Sequence, residues 1–376
     1  MKICYLANSM LPSRYANSVH VTNMAAGLAQ SGAEVTLFAF KGDGSLLPSA
    51  GDDAVFDFYG LEPSFRIVWL PQPLPRGVSL ISSISVWFTI SGFAPDLVIG
   101  RHGKACLAAA LRGVPTVYET HRPLAWQAPV DRFLVRRLLR LRAFRGLVTI
   151  SNPLRDILAE ETGLPASRIL VAHDAAPPPS AIEPASFAQG DRLQIGYVGG
   201  FYPGRGIELV LDVAASLPEM DFHLIGGTAT DLEQWHADVP DLANVRFHGF
   251  QAPAHAAAMR AGCDVLMAPY QHKTLIKDGW DTTRWMSPLK IFEYMASAKP
   301  ILCSDLPVLR EVMTDDRNAV LLAPDDRSAW VAALRRLQAD PAYARALGEQ
   351  AFEDFMHNHT WEQRARRIIA FAGESQ

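Results

Sequence analysis

Lys290 and Glu293 stand three residues apart in Ser287-Pro288-Leu289-Lys290-Ile291-Phe292-Glu293-Tyr294-Met295-Ala296, a stretch that opens with a helix-start signal. Serine caps free backbone N–H groups and proline at the first helical position gives up no hydrogen bond, so the pair predicts a helix from Pro288. Ile291, Tyr294 and Met295 then share one side, while Lys290 and Glu293 share another. A cation, a carboxylate and the free amides of a helix N-terminus, that of Leu289 among them, suit a diphosphate carried on a ribose. The amides and Lys290 would hold phosphate, and Glu293 would accept from a hydroxyl. The same residues also fit an ordinary capped helix with a solvated Lys and Glu.

A second set lies upstream in Gly199-Gly200-Phe201-Tyr202-Pro203-Gly204-Arg205-Gly206. Glycines there let the backbone approach a ligand, and Arg205 ahead of a helix could grip a diphosphate with two prongs; a glycine-rich turn with a surface Arg is the plain alternative. In the first half, Arg101-His102-Gly103-Lys104 and Glu119-Thr120-His121-Arg122 place charges and imidazoles at two strand ends, more than a packed core requires. His121 is read as functional, with Glu119 and His102 beside it. The turn after the first strand, Asn8 through Ser18, carries Arg14, with His20 expected in the first turn of the following helix, where a surface His is the alternative. It lacks the Gly-x-Gly-x-x-Gly of a dinucleotide site, which argues against a dehydrogenase. The segment between Pro269 and Ser287 holds Tyr270, Gln271, His272, Lys273, Lys277, Asp278, Trp280, Asp281, Arg284 and Trp285, and reads as a largely solvent-facing flap over a sugar, with Lys273 and Lys277 as phosphate candidates.

The elements that must position these residues come in two series. Short apolar strands at 3–7, 34–40, 66–70, 96–99, 116–119 and 147–150 alternate with helical patterns, the first at 18–30. A Pro-rich connector follows, and the alternation restarts at 193–198, 222–225, 245–247, 264–268, 300–303 and 319–322. The expected fold is α/β, with parallel sheets covered by helices on both faces and ligands outside the carboxyl ends of the strands, in a cleft between two domains. The expected boundaries are an N-terminal domain at 1–175, a linker at 176–192, a C-terminal domain at 193–355 and a last helix at 356–376 that packs back on the first domain.

The 376 residues allow two full cores, and 49% hydrophobic with 20% charged residues describes a globular chain. A net charge of −4 argues against a general nucleic-acid binder. Cys4, Cys106, Cys263 and Cys303 are scattered through apolar runs without metal or redox spacing, so they read as core residues in a reducing compartment. Met1 runs straight into a strand pattern, and the apolar region 78–93 is broken by serines and short for a membrane span; a cytoplasmic protein is expected. Arg132, Arg136, Arg137, Arg140, Arg142 and Arg145 punctuate a Leu-rich helix. Peripheral contact with the inner face of a membrane is left open there, beside the plainer reading of a surface helix with snorkelling Arg stems.

A strand ending in Tyr197-Val198-Gly199, a short loop with Arg205 before Gly206, and Glu293 inside Glu-Tyr-Met-Ala with Pro300-Ile301 beyond resemble the donor domain of the GT-B glycosyltransferases, most of all the retaining family 4. The resemblance runs from the first strand to Trp361, and its specific motifs lie mainly in the second half. It implies two facing Rossmann-like domains and transfer of a sugar from a nucleoside diphosphate sugar to a hydroxyl of a glycan or lipid-linked acceptor. It implies no cofactor and no metal, since no Asp-x-Asp cluster occurs in a matching place. By the resemblance Arg205 and Gly200 lie in the loop that faces the donor diphosphate, Glu293 faces the ribose, backbone groups of Phe250 and Gln251 the base, His121 the donor sugar, and Arg14 and His20 the acceptor side; by position alone Lys290 and Leu289 join the diphosphate set and His102 the acceptor side, and His121 with Glu119 are the catalytic candidates. Two positions depart from the pattern: Gly200 stands where the family has an Arg, and Trp285 where it has the first of two Glu eight residues apart. Lys290 is a candidate to restore the missing charge. A nucleotide-sugar epimerase and a non-catalytic nucleotide-sugar-binding protein are the rival readings.

Overall fold

The computed structural model describes residues 1–376 apart from 43, 45, 47–50, 72–77, 180–182, 188–190, 239–241, 277–278 and 375–376. Lys277 and Asp278, and part of the connector, therefore lie outside the described residues. The chain divides into two compact units, Met1–Asp174 with Thr360–Gln376, and Ala175–His359.

In the first unit, β1 (Lys2–Leu11), α1 (Ala16–Gln30), β2 (Glu34–Lys41), α2 (Asp52–Tyr59), β3 (Arg66–Leu70), α3 (Val78–Phe93), β4 (Leu97–Gly100), α4 (Gly103–Leu111), β5 (Thr116–Glu119), α5 (Pro129–Leu138), β6 (Phe144–Thr149), α6 (Asn152–Thr162) and β7 (Ile169–Val171) alternate along the chain. Their parallel sheet has the order β3-β2-β1-β4-β5-β6-β7. Its central strands are covered on both faces: all four residues of β4 and of β5 are buried, Thr116 and Glu119 included. The order reverses between β1 and β4, which pair from Ile3↔Leu97 to Leu6↔Gly100, and a switch of this kind opens a crevice at the carboxyl ends of the strands.

In the second unit, β8 (Gln194–Val198), α7 (Ile207–Ser216), β9 (Asp221–Ile225), α8 (Ala229–Asp238), β10 (Val245–Gly249), α9 (Pro253–Ala261), β11 (Val265–Ala268), α10 (Leu289–Met295), β12 (Ile301–Ser304), β13 (Val320–Leu322), α11 (Arg327–Ala339) and α12 (Pro341–Asn358) build a second parallel sheet, ordered β10-β9-β8-β11-β12-β13, with its switch between β8 and β11. Both are Rossmann-like sheets with flanking helices. The last helix, α13 (Trp361–Glu374), belongs to the first unit and packs on α1.

That packing depends on one glycine. A Cβ built on Gly27 of α1 would lie 2.5 Å from the backbone oxygen of Trp361, too close for an unshifted pair of helices. Gly27→Ala is therefore expected to destabilise the first unit by about 1–3 kcal/mol despite the better helix propensity of alanine. Thermal unfolding checks this, and an unchanged or raised midpoint would contradict the close approach.

Several sequence expectations need correction. β1 continues to Leu11, taking in Asn8, Ser9 and Met10, because after a register shift beyond Leu6 the pairing with β2 resumes at Met10↔Phe40 and Leu11↔Lys41. α1 starts at Ala16, which puts His20 in its second turn and on a buried face rather than at the surface. α10 starts at Leu289 and not Pro288: Pro288 is its N-cap residue, with an extended ψ of 124°. Tyr270 and Trp285 are core residues of the second unit, not parts of a solvent-facing segment, since each ring is buried. The three residues of β7 are too few to show a pattern in the sequence. All four cysteines are free and buried. The region 78–93 is the helix α3, and among the described residues no helix is long and apolar enough to cross a membrane.

Candidate active site

In the second unit, β8 runs into the glycine-rich loop at the switch point. Gly199 and Gly206 have positive φ, 149° and 81°, and side chains there have no room: a Cβ on Gly206 would lie 1.9 Å from Pro269 O, and one on Gly199 would lie 2.9 Å from Lys290 Nζ. Tyr197 Oη donates to Gly200 O at 2.8 Å and fixes the start of the loop. Behind it, the Tyr294 hydroxyl accepts from Val198 N at 2.8 Å, which ties α10 to the end of β8 and carries Lys290 into place.

Lys290 is buried, 8% exposed, and among the described residues its Nζ has no hydrogen-bond acceptor. It sits 3.8 Å from the centroid of the Tyr197 ring and 5.1 Å from that of Tyr270, while the Arg205 guanidinium lies 5.3 Å from the Tyr270 ring. Burial, and then the nearby charge of Arg205, hold the Lys290 ammonium well below its ordinary pKa, with Glu293 partly opposing. Two cations thus share an aromatic wall. Glu293, one turn along α10, is half-buried with its carboxylate 3.6 Å from Arg260 Nη1; Arg260 Nε donates to Ser297 Oγ at 2.9 Å. Leu289 is the first residue of α10, and Gly200 the second of the loop, with its carbonyl held by Tyr197.

Phe250 and Gln251 leave the sheet at β10, two strands from β8, with Gly226 and Gly249 between: Gly226 N donates to Gly249 O at 2.9 Å, and Gly199 N to Ile225 O at 2.9 Å. The Gln251 side-chain amide donates to His248 O at 2.8 Å. His248 is held by His223, whose Nδ1 lies 3.0 Å away and whose Nε2 faces Gln194 Oε1 at 2.7 Å. Burial, and then His248, push His223 down to about 4. Lys273 is exposed, and its carbonyl backs Gly204.

In the first unit, a buried polar cluster gathers at the end of β5. Glu119 is fully buried, and its Oε1 meets His121 Nε2 at 2.6 Å, Arg364 Nη2 at 2.9 Å and His20 Nε2 at 3.0 Å. His20 Nδ1 lies 2.9 Å from Asp174 Oδ1, and the His20 ring meets those of His121 and Trp361 edge to face. Burial alone would raise the Glu119 pKa, but Arg364, His20 and the hydrogen bonds from both histidines outweigh it and hold the carboxyl well below its usual range. Burial, followed by Arg101, pushes His121 down to about 4, with Asp174 and Glu119 opposing. His121 is therefore neutral near pH 7. With Nε2–H given to Glu119, its Nδ1 is the nitrogen left to accept.

Ligand atoms from His20, Glu119 and His121 lie within 4.8 Å of one another, the spacing of a metal site, but the Arg364 guanidinium already occupies the Glu119 oxygen they share. These residues fit an ion-pair network better than a metal centre. His102, buried at the N-cap of α4, has no hydrogen-bond partner for either ring nitrogen among the described residues; burial, then Lys104, push it to about 4. Arg14 lies exposed in the turn between β1 and α1. Sequence reasoning missed Arg364, Asp174 and Arg260. The signal for Arg364 was its place between Trp361 and Ile368, on the apolar side of the last helix.

Two family models match this chain: glycosyltransferase family 4 over residues 18–175, and glycosyl transferases group 1 over residues 192–340. Among curated proteins, it is 25% identical over 123 residues to the putative teichuronic acid biosynthesis glycosyltransferase TuaH of Bacillus subtilis; the match takes in 32% of this chain and 29% of the length of that relative. Among solved structures, Anabaena HepE in complex with UDP-glucose aligns with a TM-score of 0.70 at 16% identity over 100% of both chains. Sucrose-phosphate synthase of Thermosynechococcus elongatus aligns with a TM-score of 0.72 at 17% identity, over 100% of this chain and 99% of that one. The two Rossmann-like sheets thus have the architecture of the GT-B class. This chain is a GT-B fold glycosyltransferase that resembles the family 4 and group 1 glycosyltransferases.

Proposed function

We propose that the protein transfers a sugar from a nucleoside diphosphate sugar to a hydroxyl of a glycan or lipid-linked acceptor, with retention at the anomeric carbon and without a metal ion. The observation that carries this reading is the buried Lys290 ammonium, without a hydrogen-bond acceptor among the described residues, next to Arg205 at the β8–β11 switch. Fixed cations there offset the negative charge that develops on the departing diphosphate, the work a divalent ion does elsewhere. In this reading the second unit holds the donor, with Leu289 and Gly200 contributing backbone to the diphosphate site, Glu293 accepting from the ribose, and backbone groups of Phe250 and Gln251 reading the base. In the first unit, the acceptor side, neutral His121 accepts from a sugar hydroxyl through Nδ1 and Glu119 holds its ring. Arg14 and His102 are acceptor-side candidates, while His20, with a carboxylate at each nitrogen, acts by bracing Glu119 and Asp174. Retention without an enzyme nucleophile means attack on the leaving-group face, with the acceptor hydroxyl proton passing to the departing phosphate oxygen.

The complexes of HepE with UDP and with UDP-glucose support a uridine donor as the first to test. Peripheral contact with an anionic membrane surface fits α5, where Val130 and Phe133 are exposed beside Arg136 and Arg137. The test is a thermal-shift panel of UDP-glucose, GDP-mannose and ADP-glucose, followed by turnover of the best binder with and without an acceptor panel. One nucleotide sugar is expected to stabilise the chain, and Glu293→Ala to weaken its binding by about 10-fold or more. No stabilisation by any of them would sink the donor site, donor conversion with no acceptor would favour an epimerase, and binding without turnover a non-catalytic role.

A further inference from the structure

Arg364 is buried to 2% exposure, and its guanidinium nitrogens are directed at particular atoms of the first unit. Nε donates to His173 O at 2.9 Å, Nη2 to Ala172 O at 3.2 Å and to Glu119 Oε1 at 2.9 Å, and Nη1 lies 3.2 Å from Met24 Sδ. A planar fork held on two carbonyls has little freedom, so it presents its charge to the carboxylate in one direction. The carboxylate oxygen it meets is the same one that His121 Nε2 reaches at 2.6 Å.

We propose that Arg364 is a positioning residue for His121: its guanidinium, anchored on the carbonyls of Ala172 and His173, aims the Glu119 carboxylate at His121 Nε2 and thereby fixes Nδ1 as the acceptor of the ring. The C-terminal helix α13 is then a working part of the imidazole site as well as a packing element against α1. An imidazole that donates from one nitrogen to a fixed carboxylate keeps one tautomer and one ring orientation. The groups that face this pair are Tyr5 on β1, His20 on α1, Arg101 after β4, and Asp174 at the end of the unit, so the electrostatic balance at His121 is set from four elements besides α13. Arg364 is the arginine among them in direct contact with Glu119, which is why its removal is expected to move His121 although the two residues do not touch.

The role of His121 toward a donor sugar rests on the function proposed above, but the tautomer does not, and the experiment reads the two separately. The histidine ring nitrogens of the full chain are followed by heteronuclear NMR across a pH series in the wild type, R364K, R364M and E119Q. The wild type is expected to show His121 as the Nε2–H tautomer with a titration near 4. R364K keeps the charge without the fork and is expected to give mixed tautomers; R364M, which leaves Glu119 without its arginine, is expected to move the titration by about one pH unit or more. E119Q is expected to lose the single tautomer, as R364K does. In parallel, turnover of UDP-glucose is expected to fall about 10- to 100-fold in kcat, with KM for the donor changed much less, and R364K is expected to recover part of the loss. A wild-type tautomer and titration in either Arg364 variant that folds, or in E119Q, overturns the proposal. Absence of UDP-glucose turnover by the wild type would count against that donor alone, and the NMR arm would still decide the placement of Arg364.

Discussion

Lys290→Met is expected to make the second unit more stable and, in the same variant, to cripple donor binding. The ammonium is buried among Tyr197, Tyr270 and the loop backbone with no acceptor among the described residues, and the charge of Arg205 adds to its cost. Burying such a group uncompensated is unfavourable by about 1–3 kcal/mol even after it sheds its proton, whereas a Met of similar length packs on both rings without that penalty. For a unit of this size the gain corresponds to a rise of roughly 2–12 °C in the unfolding midpoint. The same replacement removes a charge-assisted bond to phosphate, and affinity for UDP-glucose is expected to fall by about 10- to 100-fold. Opposite signs in one variant distinguish a ligand site from a structural ion pair, whose loss would lower stability. Titration calorimetry in two buffers adds a check on sign. Burial and Arg205 disfavour the ammonium in the free protein and a diphosphate favours it, so at a pH between the two resulting pKa values donor binding takes up a proton. A Met variant that is less stable, or that binds UDP-glucose as the wild type does, would refute this reading of Lys290.

Much of this site was legible in the sequence because it rests on local signals. Gly199, Arg205, Lys290 and Glu293 all lie in segments that follow short apolar strands, and strand ends are where an open α/β sheet places its ligands. What was not legible was burial. Lys290 reads as a solvated charge from its helix spacing, and only the turn of Gly199 under it and the tie of Tyr294 to β8 carry it inward. Likewise His20 sits among polar residues in the sequence, yet its partners, Glu119 and Asp174, lie 99 and 154 positions away. Long-range ion pairs of that kind leave no periodicity. Trp285 shows the same limit from the other side: its place opposite the family pattern was visible, but that it is a core residue of the second unit was not.

Acid is expected to unfold this chain well before its ordinary carboxylates titrate. His102, His121 and His223 take up protons near 4 in the folded chain but near 6.5 once unfolded, because burial heads the causes in all three. Between those values the unfolded chain binds more protons, so stability rises with pH; the contribution is complete above about 6.5 and is lost as pH falls toward 4. Each buried histidine is worth roughly 3 kcal/mol across that window, a large part of what holds a domain folded. Glu119 and Asp174 act in the same direction lower down: their folded pKa values are depressed by Arg364 and the histidines, so their share is lost only as pH falls through those values. Two of the three histidines belong to the first unit and one to the second. His248 of the second unit is held down by burial as well, so both units are expected to lose stability as pH falls from 6.5 toward 4. Calorimetric unfolding across that range checks the slope, and His102→Leu isolates one member. His102 has no hydrogen-bond partner among the described residues, so its replacement is expected to change stability little at pH 7.5 and to leave the variant about 2–3 kcal/mol more stable than wild type near pH 4.5. Parallel curves for the two proteins would show that His102 is not kept neutral by burial, and the acid lability of the first unit would then fall to His121 and the carboxylates around it.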